Sequence, residues 1–353
     1  MRLSVVDLSV VAPGSTESDA LRDSLDLARH AEALGLHRIW FAEHHIGQMG
    51  ASHHPELLIT AAAAATSQIR VGSGAVLMNH TSPLIVGERF RQLEAMYPGR
   101  IDLGMGRAGT GPVIDLALQQ DRRQPAQIDH DQQVAETLAW VTGGFPAEHP
   151  FAQLALLPSV ASRPETWLLG SSRGSAQLAA ALGIGYAFAS FIHPRDAAQA
   201  LRDYRAAFRP GASGLAEPRA ILAANITVGD DAAAAARLVA SPKAYYARLA
   251  RGNVSTGVPD ADTALAELSD AQAAEATLPV DGAWPRFLAG SPDEVRDALG
   301  EMVAASGADE VMAQSMVAMP ADRLRSLSLL AGALGVTPRW AAALPDPAPR
   351  RSR

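Results

Sequence analysis

The chain has 353 residues, of which 48% are hydrophobic and 19% charged, which is the composition of a globular protein with a large core. Its formal net charge of -7 gives no electrostatic reason to expect nucleic acid or an anionic membrane as a partner, and the absence of cysteine excludes disulfides, thiolate metal sites and a cysteine nucleophile. No apolar stretch is long enough to span a bilayer and no signal peptide is visible, so we expect a cytoplasmic protein.

Strand-like and helix-like runs alternate along most of the chain. The hydrophobic pattern predicts strands over residues 3–11, 37–42, 69–78, 100–105, 166–169, 185–189, 220–228 and 310–316. It predicts helices over residues 19–34, 55–67, 83–97, 173–182, 195–208, 231–251, 293–305 and 322–334. Repeated strand–helix units imply parallel strands with helices outside them.

This alternation of about eight strands predicts an α/β fold, a TIM (β/α)8 barrel, which takes ~250 residues. The surplus residues fall near 108–128, 143–164 and 252–290, and we interpret them as insertions in the βα loops. An open doubly wound sheet is the alternative, because a strand count does not show whether a sheet closes. We predict one domain over residues 1–335 and a Pro/Arg-rich tail over residues 336–353.

Glu43, His44 and His45 follow the second predicted strand directly. Active-site loops of barrels begin at the carboxyl ends of strands, and imidazole can accept or donate a proton near neutral pH, so one histidine is a candidate general base. The alternative is a structural pair that is hydrogen-bonded to the backbone. Neighbouring side chains on an extended chain point to opposite faces and do not readily share one metal ion, so we expect no metal site here.

Two further strand ends carry groups that suit an anion. Residues 104–109 fit the G-x-G-x-x-G pattern, but Pro112 delays the helix that a dinucleotide fold needs, so we favour a ligand-facing Arg107 over a Rossmann site. A salt bridge at the barrel rim is the alternative for this arginine. Residues 170–176 pass from a strand directly into a helix, and the free N–H groups there favour a phosphate at Gly170, Ser171 and Ser172. The alternative is that Ser171 or Ser172 only caps the helix.

Ser73, Gly74 and Ala75 lie near the end of the third predicted strand. Their small side chains would let a flat ring lie against the backbone. The alternative is that Gly74 merely marks a bulge in the strand.

These segments together resemble the bacterial luciferase-like family of flavin-dependent monooxygenases, over nearly the whole chain from Leu3 to about Gly335. The resemblance rests on the order and barrel positions of several short segments, which are residues 40–45, 72–77, 102–107, 168–172, 289–292 and 308–312. It implies a TIM barrel, usually dimeric, that takes reduced FMN from a separate NAD(P)H-dependent flavin reductase. With molecular oxygen, a C4a-peroxyflavin would then oxidise a small organic substrate.

The resemblance also implies roles for individual residues. His44 corresponds to the family's catalytic histidine, and Arg107 and Ser171 correspond to phosphate contacts, with Gly170, Ser172 and Ser175 beside them. Gly74-Ala75, next to Ser73, corresponds to a non-proline cis peptide beneath the flavin ring. Two departures stand out, which are Gly106 in the region of luciferase's reactive cysteine, and the lack of a second phosphate-binding arginine around residues 130–133, for which Arg173 could compensate.

Other functions remain open from the sequence. The family alternative is an F420-dependent oxidoreductase that transfers hydride, and a non-catalytic flavin-binding relative and a metal-dependent barrel hydrolase come from other classes. The alanine run Ala61 to Ala65, in the helix predicted over residues 55–67, permits close helix approach and predicts a homodimer through helices near the second and third strands. Trp284, within the third insertion, is a candidate lid residue.

Overall fold

The computed structural model describes residues 1–45, 49–107, 112–119, 122–123, 129–154, 156, 158, 161–253 and 256–338. Its parallel strands are β1 (Arg2–Asp7), β2 (Arg38–Phe41), β3 (Arg70–Ser73), β4 (Val76–Leu77), β5 (Ile101–Gly106), β6 (Glu165–Gly170), β7 (Gly185–Ala189), β8 (Ala220–Val228), β9 (Phe287–Gly290) and β10 (Glu310–Gln314). Its helices are α1 (Glu17–Leu34), α2 (Pro55–Ala65), α3 (Pro83–Met96), α4 (Pro112–Leu118), α5 (His130–Thr142), α6 (Arg173–Leu182), α7 (Ala197–Ala207), α8 (Ala232–Ala250), α9 (Ala261–Glu267), α10 (Asp270–Ala273), α11 (Pro292–Ser306) and α12 (Pro320–Ala333).

The sheet closes on itself. β1 pairs with β2 on one side and with β10 on the other, and β10 pairs in turn with β8. β3 and β4 share one of the eight positions around the barrel, since both pair with β5. Among the described residues, β9 pairs with the carboxyl-terminal part of β8 and with no other strand. The predicted TIM barrel is therefore confirmed, and closure excludes the open doubly wound sheet.

Two predicted strands are shorter or broken in the structure. The first ends at Asp7, because Ser9 has a left-handed backbone (φ 50) and the chain there leaves the sheet. The third, predicted as one strand over residues 69–78, is split between Ser73 and Val76, where the chain contains a cis peptide bond. Hydrophobic periodicity continues through both places, so it did not reveal either change.

The predicted insertions contain regular structure. Residues 252–290 include α9, α10 and β9, and Trp284 is only 8% exposed and packs into the main core, so its prediction as a lid residue is wrong. A side chain of this size gains most from complete burial. Within the first insertion the structure places α4, while residues 108–111, 120–121 and 124–128 lie outside the described residues, as does the tail from residue 339.

Local signals define the helix ends well. Thr16 caps α1 in a capping box with Asp19, and Gly35 ends it in the left-handed conformation. Ser172 caps α6 by accepting a hydrogen bond from the backbone N–H of Ser175. Across the described ranges, no helix has both the length and the apolar character that a membrane crossing requires.

Strand alternation divides the buried side chains into two sets. The barrel interior is filled by one cluster, which consists of Val6, Trp40, Trp167, Ala187, Ile221, Ala223 and Met312. Neighbouring positions on the same strands, such as Ile39, Phe41 and Leu222, belong to the larger cluster between sheet and helices. Because successive side chains on a strand alternate, this fixes which residues of each strand point inward.

The amino-terminal end of the barrel is closed by buried charges. Arg38 donates to Asp102 (Nη1–Oδ2 2.6 Å) and to Glu310 (Nε–Oε1 2.9 Å), and Arg70 donates to the other Asp102 oxygen at 2.6 Å. Burial would raise the pKa of Asp102, but the two guanidinium groups lower it overall. This network lies opposite the carboxyl ends of the strands and serves stability.

Candidate active site

The closed barrel gathers the residues that the sequence singles out at one end. His44 follows β2, Gly74 and Ala75 lie between β3 and β4, Arg107 follows β5, and Ser171 follows β6. All these strands run parallel, so their carboxyl ends meet at the same rim. Segments that are more than a hundred residues apart in sequence therefore contribute to one surface.

Backbone hydrogen bonds hold His44 in place. Its N–H donates to the Ser52 carbonyl at 2.9 Å, and its own carbonyl lies 2.6 Å from Nδ1 of His53. The Ser52 hydroxyl donates to the Ala42 carbonyl at 2.6 Å, which fixes the loop on the end of β2. Residues 42 and 44 are thus linked by hydrogen bonds to residues 52 and 53.

The imidazole of His44 is neutral at physiological pH. Desolvation, with smaller contributions from the neighbouring His45 and His53, lowers its pKa to about 4. The residue is nevertheless exposed to solvent, so a ligand at the rim can reach its side chain. A neutral imidazole in such a place can accept a proton from a bound ligand.

Glu43 joins two parts of the rim. One carboxylate oxygen lies 2.7 Å from Nε2 of His45, and the other accepts the backbone N–H of Leu77 at 2.9 Å. Leu77 belongs to β4, which begins directly after Ala75, so Glu43 ties the histidine loop to the segment around the cis peptide. Burial raises the pKa of Glu43 to about 7, although the Leu77 N–H opposes that change.

Three more histidine rings lie near His45. The His45 ring centroid lies 6.3 Å from that of His53, 5.7 Å from that of His54 and 6.2 Å from that of His80. His80 lies 3.5 Å from a carboxylate oxygen of Asp115. In the part of the chain that the structure describes, no group of three or more His, Cys, Asp or Glu side chains is arranged to hold a metal ion.

The peptide bond between Gly74 and Ala75 is cis, as the family resemblance implies. A Cβ atom on Gly74 would lie 2.9 Å from Cβ of Trp40 and 3.1 Å from Cγ2 of Val6, so only glycine fits over these side chains. The Ser73 hydroxyl donates to the Gly104 carbonyl at 2.8 Å and accepts the Gly104 N–H at 2.9 Å. Ser73 is fully buried, so it supports the strand break while Gly74 reaches the surface.

The first turn of α6 is exposed to solvent. Ser172 is exposed, and Ser175 donates its hydroxyl to the Ser172 carbonyl at 2.9 Å and lies 2.9 Å from the hydroxyl of Tyr186. A Cβ atom on Gly170 would lie 2.1 Å from Oγ of Ser175, so the close contact between strand end and helix requires glycine. Backbone N–H groups at such an exposed helix start favour an anion.

His193 is a residue at this rim that the sequence analysis missed. It lies in the loop after β7, and its Nδ1 is 2.9 Å from the Ser171 carbonyl oxygen and 3.2 Å from the Ser171 hydroxyl. The side chain is exposed, so it stands beside the open start of α6. Its place in the loop after a barrel strand was the available signal.

The two arginines considered for an anion lie in different surroundings. Arg107 is exposed, and its charge lowers the pKa of His130, the first residue of α5, in addition to the larger effect of desolvation. Nδ1 of His130 is buried and has no hydrogen-bond partner among the described residues. Arg173 instead approaches Asp203 of α7, with 4.0 Å between Nε and a carboxylate oxygen.

The closed barrel and the polar groups at its carboxyl end define the arrangement of a TIM-barrel enzyme. The chain belongs to the luciferase-like monooxygenase family, whose family model matches residues 1–310. A luciferase-like monooxygenase of Escherichia coli (strain K12) is 36% identical over 328 residues, which cover 92% of this chain and 95% of that protein. The crystal structure of apo-MsnO8 superimposes with a TM-score of 0.86 at 40% identity, covering 96% of this chain and 99% of that one.

Other relatives differ in what their names report. An N-acetyl-S-alkylcysteine monooxygenase of Bacillus subtilis (strain 168) is 40% identical over 209 residues, which are 59% of this chain and 62% of that protein. The oxygenating constituent of 3,6-diketocamphane monooxygenase from Pseudomonas putida, solved with FMN, matches with a TM-score of 0.66 at 21% identity. The F420-dependent tetrahydromethanopterin reductase from Methanopyrus kandleri matches equally well, at 0.66 and 15% identity. The last two likenesses show the fold alone.

Proposed function

We propose that this protein is an FMN-dependent monooxygenase that uses reduced FMN and molecular oxygen to oxidise a small organic substrate. The observation that carries the proposal is the meeting, at one barrel rim, of a neutral His44, a cis Gly74-Ala75 segment and an open helix start at Ser172. Membership of the luciferase-like monooxygenase family supports the reaction class. Reduced FMN, when bound, supplies the electrons that activate oxygen.

The residues present fit the parts of a flavin nucleotide. Gly74 and Ala75 give the ring a flat backbone surface, and Gly170, Ser171, Ser172 and Ser175 offer N–H and hydroxyl groups to the phosphate. Arg107 adds a cation, and the buried Nδ1 of His130, which has no hydrogen-bond partner among the described residues, would be free to bind the ligand. His193, in contact with Ser171, takes the place of the second arginine that residues 130–133 lack.

His44 would move the proton that oxygen insertion requires. Its neutral imidazole would accept a proton from the bound ligand. Its backbone N–H donates to the Ser52 carbonyl and its carbonyl contacts Nδ1 of His53, and these bonds hold the residue in position. Glu43 acts through His45 and the Leu77 N–H, and is a positioning residue. Reduced FMN would come from a separate NAD(P)H-dependent reductase, and we propose that the protein works as a homodimer.

Titration of the purified protein with FMN, riboflavin and F420 tests the cofactor. We expect FMN to bind more tightly than riboflavin, which lacks the phosphate, whereas tight binding of F420 alone would establish the F420-dependent alternative. Oxygen consumption with a flavin reductase is then followed against thioethers, including N-acetyl-S-alkylcysteines, since one relative carries that name.

The His44→Ala variant tests the chemistry separately from binding. Loss of a general acid or base costs ~10²–10⁴-fold in rate. FMN affinity should stay within about threefold, because the phosphate contacts lie elsewhere. The matched control is His54→Ala, since His54 is an exposed histidine at the start of α2 whose side chain makes no capping hydrogen bond. Wild-type turnover by His44→Ala with a verified substrate would refute the role of His44.

A further inference from the structure

Three buried polar side chains lie near the carboxyl ends of two neighbouring strands. Asn225 and Thr227 on β8 are 1% and 0% exposed, and Gln314 on β10 is 6% exposed. Within the described part of the chain, both amide atoms of Asn225, Oγ1 of Thr227 and Oε1 of Gln314 have no hydrogen-bond partner. Buried polar groups in native proteins are nearly always paired, so this group of side chains requires an explanation.

The strand alternation places these side chains inside the barrel. Ile221 and Ala223 on β8 and Met312 on β10 belong to the interior cluster, and Asn225 and Gln314 follow two residues later on the same face. The two amides are neighbours, because Gln314 pairs in register with Asn225. They lie one layer closer to the carboxyl end than the apolar interior.

The amides also adjoin the cis peptide segment. Gln314 pairs in register with Val6 on its other side, and a Cβ atom on Gly74 would touch Cγ2 of Val6 at 3.1 Å. On the far side, Asn225 pairs in register with Phe287, whose ring packs against Tyr246 of α8 at 5.4 Å. The strand positions of Gln314 and Asn225 therefore lie between Val6, which adjoins the proposed ring surface, and Phe287, which packs against α8.

We propose that Asn225 and Gln314 form a binding wall for a neutral amide or imide group in the active site. Both side chains are uncharged, and a carboxamide presents a donor and an acceptor side by side, which pairs best with another amide-like edge. An unpaired buried amide contributes nothing to folding and costs stability, which is expected where a ligand completes the hydrogen bonds. The inference rests on the proposed function and deepens it.

Two sources share this chemistry. The pyrimidine edge of the flavin is an imide, and an acylated substrate carries an amide. Because the wall adjoins the ring surface through Val6, either group can reach it while the ring lies on Gly74. The experiment therefore needs one arm for each source, together with a measurement on the free protein.

The free protein is tested by matched substitutions. Replacing an unpaired polar group by an apolar one of the same shape should stabilise, so Thr227→Val and Asn225→Leu should raise Tm by about 1–5 °C. The control is Thr137→Val on α5, where the equally buried hydroxyl donates to the Gln133 carbonyl at 2.8 Å. It should lower Tm. If Asn225→Leu and Thr227→Val both lower Tm as the control does, the amide is satisfied in the free protein and the proposal is wrong.

Binding then identifies the source. If the wall holds the flavin imide, wild-type protein prefers FMN over N3-methyl-FMN by about 10-fold or more, and Asn225→Leu and Gln314→Met lose that preference. If it holds the substrate, the ratio of FMN affinity to N3-methyl-FMN affinity is the same in the variants as in wild type, and the variants instead lose discrimination between N-acetyl-S-methylcysteine and its ester isostere. The proposal is overturned if neither ratio changes in the variants. Failure of the wild type to bind FMN at all would refute the proposed function, whereas the Tm comparison tests the unpaired amides independently of FMN.

Discussion

Replacing Glu43 by glutamine should change how the stability of the protein depends on pH. The Glu43 side chain is 9% exposed, and burial raises its pKa from 4.5 to about 7. Between these two values the folded protein holds a proton that the unfolded chain has released. The free energy of unfolding of the wild type therefore falls as the pH rises through this range, and glutamine removes that loss.

The magnitude follows from the same two values. One pKa unit corresponds to about 1.36 kcal/mol, so the difference between 4.5 and about 7 sets a ceiling of about 3 kcal/mol. The effect of the Leu77 N–H is already contained in the pKa of about 7, whereas a hydrogen bond from the His45 ring, 2.7 Å away, would stabilise the carboxylate further. We therefore expect the stability of Glu43→Gln, relative to wild type, to rise by about 1–3 kcal/mol between about pH 5 and about pH 8.

Urea unfolding followed by tryptophan fluorescence at several pH values measures this difference. Glu301→Gln on α11 is the control, because that side chain is exposed, and the variant should stay parallel to wild type. A relative stability of Glu43→Gln that falls with rising pH would refute the reasoning. It would mean that the folded protein holds an ionised Glu43 paired with a protonated His45, the opposite charge state.

Four further outcomes can be checked. Arg107→Ala should weaken FMN binding by about 1.5–3 kcal/mol in calorimetry and leave riboflavin binding unchanged, and equal losses for both flavins would remove the phosphate assignment. His193→Ala should weaken FMN binding about 3–10-fold and leave riboflavin binding unchanged, and an unchanged FMN affinity would mean that His193, beside Ser171, does not contribute to phosphate binding. Gly104→Ala should prevent folding because its Cβ would lie 2.1 Å from the Ser73 carbonyl oxygen, whereas Gly300→Ala on α11, with open space around it, should fold with slightly higher Tm. Leu57 on α2 is 72% exposed, so Leu57→Glu should convert the proposed dimer to a monomer in sedimentation, and a monomeric wild type would contradict the dimer.

The barrel could be predicted from the sequence because its strands and helices follow regular periodicity. The break between Ser73 and Val76 could not, since residues 71–78 are apolar or small throughout and only the family resemblance indicated a cis bond there. Strands buried on both faces also hide which side points inward. The positions of Asn225 and Gln314 inside the barrel became clear only from the register of β8 and β10.

The candidate site was predictable to the extent that it depends on strand ends. His44, Arg107 and Ser171 were selected as candidates because each follows a predicted strand, and the structure places all three at the carboxyl end of the barrel. The link from Glu43 to Leu77 and the contact between His193 and Ser171 join different βα units, so no local spacing encodes them. Trp284 was misjudged for the same reason, because its burial depends on elements far away in the chain.

The buried charges at the amino-terminal end of the barrel constrain the order in which the chain can fold. Arg38 and Glu310 are separated by 272 positions, so the guanidinium remains short of a partner until the last strand has been synthesised. A nascent chain that stops before β10 would have to bury the Arg38 guanidinium without the Glu310 carboxylate, or leave the barrel open. Contacts this distant in sequence slow folding, and they favour completion of the barrel after release from the ribosome. Circular permutants that bring β1 and β10 together early should therefore refold faster than the natural order of strands.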